Sequence, residues 1–284
     1  MFWSASFLAL PLLSVSALPS RGIQPRCTVS NETYDDLVYY LQYASSAYLD
    51  ECASPNGNTL VQRYDNETTD TQAFLARDDT KGEIVIVFRG SSTVQDLATD
   101  GDITLVDLNI QGVNAPVGTQ VHHGFHTAWN SIVGDVIITI QSELASHPNY
   151  TLATSGHSLG GALSSLGGIT LQQNFPDVPL KMYTFGQPRT GNPSYAYFVD
   201  SKLGSNIFRG VHGSDGVPTM ISQDLGYQHH GVEYFQSGDP PSAGTTKACI
   251  GNEDPTCSAS IPSSGINMYH LIYYDITVGT AFCD

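Results

Sequence analysis

The sequence predicts an α/β fold with a mostly parallel central sheet and helices on both faces. Three observations carry this. Residues 83–89 read EIVIVFR, a short continuous apolar run of the kind found in strands buried on both faces. Strand-like and helix-like runs alternate from there to residue 211, so crossover connections must join parallel neighbours. A serine flanked by glycines, Gly156-His157-Ser158-Leu159-Gly160, lies between one strand-like run and the helix-like run after it.

Each element has its own signature. A helix begins near Ser30 or Asn31, where Tyr34, Leu37, Leu41, Ala44 and Tyr48 recur at helical spacing. Residues 125–144 carry Trp129, Ile132, Val133, Val136, Ile137, Ile140 and Leu144 on one face and predict a single helix. A strand is expected at 150–155, then the serine turn and its helix, then a strand at 180–185. A helix around 194–203, a strand at 207–211 and a strand at 231–235 follow. No linker interrupts this series, so 30–284 reads as one domain. Residues 18–29 read as a loose N-terminal stretch.

Residues 1–17 carry no charged side chain, centre on an apolar run and end Val15-Ser16-Ala17. That pattern predicts a cleaved signal peptide and an exported, extracellular protein. No later run approaches the ~20 apolar residues a bilayer needs. Three sequons, at Asn31, Asn66 and Asn149, fit a secreted glycoprotein. The five cysteines, Cys27, Cys52, Cys249, Cys257 and Cys283, form no CxxC pair. An oxidising compartment makes two disulfides and one spare thiol the expectation. Cys249 and Cys257 suit a local loop, and either Cys52 or Cys27 suits a staple to Cys283.

Composition narrows the function. Hydrophobic residues make up 40% and charged residues 13% of the 284, which is not the make-up of a disordered chain. The net charge of −16 repels phosphate backbones and argues against a nucleic-acid partner or a basic lipid-binding patch. Neutral or weakly charged substrates fit.

The chemistry centres on Ser158. A G-x-S-x-G pentapeptide between a strand and a helix is the setting of a nucleophile elbow. The turn needs tiny neighbours, and it lifts the serine to the carboxyl end of the strand, where open α/β sheets keep their sites. A serine hydroxyl needs a base, and in this architecture an acid and then a histidine follow the serine. Asp215, in Gly213-Ser214-Asp215-Gly216 just after a strand, lies on the same sheet edge. Asp177, Asp200, Asp224, Asp239 and Asp275 lie in helices or less defined loops. His212, His229, His230 and His270 remain open as the base, with position favouring His270. The oxyanion needs two donors, one at the Leu159 backbone and one in the stretch Phe88-Arg89-Gly90-Ser91-Ser92.

Taken together these segments resemble the fungal class 3 lipases, a family that includes the type-A feruloyl esterases. The resemblance spans nearly all of the chain after its first segment. It rests on residues 87–91, 121–129, 156–163, 183–189, 212–218 and 231–234, in that order. It implies an α/β-hydrolase fold, Ser158 as nucleophile, Asp215 as triad acid and His270, in Met268-Tyr269-His270-Leu271, as base. It implies Ser91 and Leu159 as the oxyanion hole. It implies disulfides Cys52–Cys283 and Cys249–Cys257, which leaves Cys27 unpaired. The family's lid position corresponds to Ser92, Thr93, Val94, Gln95, Asp96, Leu97, Ala98, Thr99 and Asp100. That segment lacks the Trp and the apolar content usual in the family's lipases, which argues against strong interfacial activation.

The expected activity is hydrolysis of carboxylic esters by acyl transfer, in a monomer, with no metal or organic cofactor. Triacylglycerol is the first substrate and feruloyl esters of plant cell walls are the alternative. Contact with a lipid interface is expected to be transient. Two rivals are a metal-dependent hydrolase built on His122, His123 and His126, and a non-catalytic secreted glycoprotein.

Overall fold

The computed structural model describes residues 1, 28–91, 103–262 and 265–284. The expected signal peptide beyond residue 1, Cys27 and the expected lid at 92–100 lie outside the described residues. The strands are β1 (Thr59–Asn66), β2 (Thr71–Asp78), β3 (Glu83–Phe88), β4 (Leu105–Asp107), β5 (Gln120–His122), β6 (Thr151–His157), β7 (Leu180–Phe185), β8 (Ile207–His212), β9 (Val232–Gln236), β10 (Thr246–Ala248), β11 (Ile272–Tyr273) and β12 (Ile276–Thr277). The helices are α1 (Asn31–Ser46), α2 (His123–Asn130), α3 (Val133–Ser146), α4 (Leu159–Asn174), α5 (Pro193–Leu203), α6 (Val217–Met220) and α7 (Met268–Leu271).

Eight strands form the central sheet in the order β1-β2-β3-β6-β7-β8-β9-β10. β3, β6, β7, β8 and β9 run parallel. The edges are antiparallel, β1 and β2 on one side and β10 on the other. β3 explains the apolar run from which it was predicted. All six of its residues are buried, and they alternate between two cores. Ile84, Ile86 and Phe88 join α2, α3 and α4 on one face. Val85 and Val87 join Leu37, Leu41 and Tyr43 of α1 on the other. Side chains two apart share a face, so one strand serves both layers.

α1 starts as expected, with the Ser30 hydroxyl accepting from the Thr33 N–H at 3.1 Å. The single helix expected over 125–144 is instead two. α2 ends at Asn130, because the Ser131 hydroxyl donates to the Ala128 carbonyl at 2.7 Å and Ile132 leaves helical geometry at φ −128°. A serine that bonds its own backbone competes with helix continuation. The β1–β2 hairpin has no counterpart in the sequence reading. β1 is mostly polar and only one of its eight residues is buried, so it lacks a clear alternation.

Two disulfides close the molecule, Cys52–Cys283 and Cys249–Cys257, the pairing the resemblance implied. The first ties the segment after α1 to the C-terminus, where Ser46 Oγ also meets the Phe282 carbonyl at 3.3 Å. Among the described residues no helix is long and apolar enough to cross a membrane. Asn31 and Asn149 are exposed and Asn66 is half-buried.

Candidate active site

β6 runs to His157, two residues past its expected end, and α4 begins at Leu159. Ser158 is the single residue between them. Its backbone sits at φ 61°, ψ −128°, a region that is costly for a residue with a Cβ, about 1–3 kcal/mol. Hydrogen bonds hold it there: its N–H donates to the Phe185 carbonyl and its carbonyl accepts from the Gly161 N–H. The flanking glycines are required by space. A Cβ on Gly156 would lie 2.0 Å from the Gly160 carbonyl oxygen, and one on Gly160 would lie 2.3 Å from that of Phe88. Ser158 thus stands at the N-terminus of a sixteen-residue helix, whose dipole favours negative charge there.

The loop after β3 packs directly on this turn. β3 pairs in parallel with β6, Phe88 opposite Gly156. A Cβ on Gly90 would lie 2.7 Å from the His157 carbonyl oxygen. Ser91 therefore follows within one residue of the elbow's wall, and Leu159 opens the helix on its other side.

Asp215 lies three residues beyond β8, and His270 lies in the short helix α7. His270 Nδ1 stands 2.9 Å from Asp215 Oδ2 and 3.1 Å from Oδ1, and both side chains are fully buried. A carboxylate accepts, so Nδ1 carries the proton and Nε2 is left as a base. Asp215 also accepts from the Val217 N–H at 2.9 Å and from the Tyr273 hydroxyl. Burial alone raises a carboxyl pKa. Here the bond and charge of His270, with those from Tyr273 and Val217, outweigh it and hold Asp215 below the usual carboxylate range. Ser158 Oγ and His270 Nε2 are both buried, and neither makes a hydrogen bond among the described residues.

The other candidates have other partners. His212 Nδ1 donates to the Ile272 carbonyl at 2.5 Å. His229 Nε2 bonds the Pro218 carbonyl, and His230 Nε2 meets Ser165 Oγ at 2.6 Å. Asp200 accepts from the Gly231 N–H and from Asn252. His122 caps α2 through its Nδ1, accepting from the Gly124 N–H, and His126 bonds the Asn109 carbonyl. Among the described residues the one group of three clustered donors is Glu233, Cys249 and Cys257, and both cysteines are in a disulfide.

Two buried arginines tie together the segments after β7, α6 and β10, and β8 to β9. Arg189 makes two 2.8 Å bonds to Glu253 and one of 2.7 Å to the Ile221 carbonyl. Buried Arg209 pairs with Glu233 at 3.2 Å. Three contributors to the site were not singled out from sequence: Tyr273, which bonds Asp215; Gly186, which packs against the pair; and His157. Tyr273 stands three residues after His270, and Gly186 directly after a strand, but nothing in either spacing marks a role.

A serine elbow after a central parallel strand, with acid and histidine following in chain order, defines an α/β-hydrolase. The comparisons with known proteins agree. A profile of the class 3 lipases matches residues 85–225. A secreted alkaline triacylglycerol lipase of Penicillium cyclopium is 32% identical over all of this chain and 98% of its own length. The structure of a triacylglycerol lipase from Penicillium expansum superposes with a TM-score of 0.83 at 31% identity, covering 90% of this chain and 99% of the other. A triacylglycerol lipase whose catalytic centre is a serine protease triad superposes at 0.79 with 28% identity, covering 90% and 98%. The chain belongs to the fungal class 3 lipase family, and so to the carboxylic ester hydrolases.

Proposed function

We propose that this protein is a secreted triacylglycerol lipase that works as a monomer through Ser158, Asp215 and His270. The observation that carries the reading is the buried Asp215–His270 pair beside a strained serine, with Ser158 Oγ and His270 Nε2 both left without partners among the described residues. Ser158 Oγ attacks the ester carbonyl while His270 Nε2 takes its proton. Asp215 holds the Nδ1–H tautomer and stabilises the imidazolium. The backbone N–H groups of Ser91 and Leu159 receive the oxyanion. His270 returns the proton to the leaving alcohol, and water then repeats the cycle on the acyl-serine. None of these steps calls for a metal or an organic cofactor. Residues 1–17 serve as the signal peptide and 30–284 as the one catalytic domain, with glycan at Asn31, Asn66 and Asn149.

The test is an assay of the protein and its Ser158→Ala variant on emulsified triacylglycerol and on methyl ferulate. Glyceride turnover that falls by about 10⁶ in the variant is expected. Preference for ferulate would move the protein to the feruloyl-esterase branch. A variant that keeps a tenth of the activity would remove Ser158 from the reaction.

A further inference from the structure

We propose that His157, the residue before the serine in the pentapeptide, is a positioning residue that ties the nucleophile turn to the backbone of the base through one directed hydrogen-bond chain with Tyr48, which packs on the oxyanion loop. The inference rests on the triad and oxyanion roles proposed above. It is carried by geometry. His157 Nε2 lies 2.8 Å from the His270 carbonyl oxygen. A backbone carbonyl accepts only, so Nε2 carries the proton. His157 Nδ1 lies 2.8 Å from the Tyr48 hydroxyl. With Nε2 protonated, Nδ1 of a neutral ring is the acceptor, and Tyr48 must donate.

The neutral form is secure. Burial, aided by the neighbouring His270, pushes the His157 pKa down to about 3. The Tyr48 oxygen lies against Gly90 of the loop after β3. The fit at Gly90 is tight, since a Cβ there would lie 2.0 Å from that oxygen. The chain therefore runs from the Tyr48 hydroxyl, packed on Gly90, through His157 to the His270 carbonyl, with both donors pointing one way.

Its ends matter because of what adjoins them. Gly90 precedes Ser91, His157 precedes Ser158, and the His270 carbonyl belongs to the base itself. The His157 ring also packs on the His270 ring, centroids 4.4 Å apart, and edge-on to Tyr273 at 5.8 Å. Its polar atoms and its ring are thus committed to the segment after α1 and to the α7–β11 segment, which must meet the elbow within a fraction of an ångström. Misplacement on that scale costs up to about 100-fold in rate.

The test compares Tyr48→Phe, His157→Phe, His157→Gln and the double Tyr48→Phe/His157→Phe with the parent. The readouts are kcat and KM on a soluble short-chain p-nitrophenyl ester, the rate of inactivation by a p-nitrophenyl phosphonate, and the melting temperature. Each Phe variant is expected to lose roughly 10- to 100-fold in kcat and in inactivation rate, with KM within two-fold. The double variant is expected to be no slower than the slower single, because one break severs the chain. His157→Gln offers both an acceptor and a donor and should recover at least half of the logarithmic loss. Phe variants within two-fold of the parent, losses that multiply in the double, or a change in KM alone would overturn the proposal. If His157→Phe does not fold, Tyr48→Phe, which removes one oxygen, decides alone. A parent that the phosphonate fails to inactivate would overturn the triad reading and this one together, whereas an inactivated parent with unchanged variants overturns this one only.

Discussion

Gly186 stands directly against His270: a Cβ on Gly186 would lie 2.9 Å from His270 Nδ1, and 2.8 and 2.9 Å from Asp215 Oδ2 and the Tyr273 hydroxyl. Gly186 also has φ +56°, which a side chain rarely tolerates. The end of β7 is therefore shaped to the Asp215–His270 pair. Gly186→Ala is expected to cut kcat by at least about 100-fold while the enzyme still folds, because the neighbouring side chains move before the strand does. Steady-state kinetics beside a thermal melt checks this. Unchanged kcat in a folded variant would mean that the pair adapts freely.

Asp215 and Tyr273 should separate by magnitude. Asp215→Asn reverses the tautomer preference of His270, and kcat is expected to fall by about 10⁴. Tyr273→Phe removes one of the donors that keep the carboxyl low. Its activity should survive near neutrality, but the acid limb of its pH–rate profile should move to higher pH. A pH profile of kcat/KM on a soluble ester reads both.

The strain at Ser158 gives a prediction with opposite signs. Ser158→Gly relieves the positive φ and should stabilise the fold by about 1–2 kcal/mol while abolishing hydrolysis. Ser158→Ala abolishes hydrolysis without that relief. Urea unfolding of the two variants measures the difference, and equal midpoints would show that the turn carries little strain.

Three buried histidines set an acid limit on stability. Burial, with the nearby arginines, pushes His230 to about 3 and His229 well below its ordinary 6.5; burial and His270 do the same for His157. Below pH 6.5 the unfolded chain takes up protons that the folded one refuses. Stability from these groups is complete above pH 6.5 and is lost progressively down to about pH 3. Each contributes about 1.4 kcal/mol per pH unit, so three reach about 4. Urea unfolding at pH 7.5 and 5.5 should show a clear fall. His230→Gln should flatten the slope by about one proton. A flat profile would contradict the buried neutral state.

The two disulfides should differ in worth. Cys52–Cys283 spans 231 residues and Cys249–Cys257 only 8. In the chain-entropy account the long closure contributes about 5 kcal/mol, and the short one less. Cys52→Ser with Cys283→Ser should lower the melting temperature more than Cys249→Ser with Cys257→Ser, by calorimetry.

Where the sequence spoke clearly, it did so through patterns that burial on both faces or a tight turn enforces. β3 is legible as an apolar run, and the elbow as glycine spacing around Ser158. Asp215 was legible because it follows a strand at the carboxyl edge. Position favoured His270 over His212, His229 and His230 without deciding between them. What distinguishes it is a bond to Asp215 across 55 residues, which no local pattern encodes, and it emerged from family resemblance instead. Trp129 and Ile132 share the apolar stripe of one helix, yet the Ser131 hydroxyl ends α2 between them, a competition that periodicity does not register. The polar β1 was silent for the same reason that β3 was loud: its faces are largely solvated.

The bond between Cys52 and Cys283 turns the folded chain into a covalent ring with a tail. One proteolytic cut anywhere around that ring opens it without releasing a fragment. Ser158, Asp215 and His270 all lie inside it. A nicked molecule therefore keeps all three on one covalent body, and only a reducing gel reveals that it has been cut.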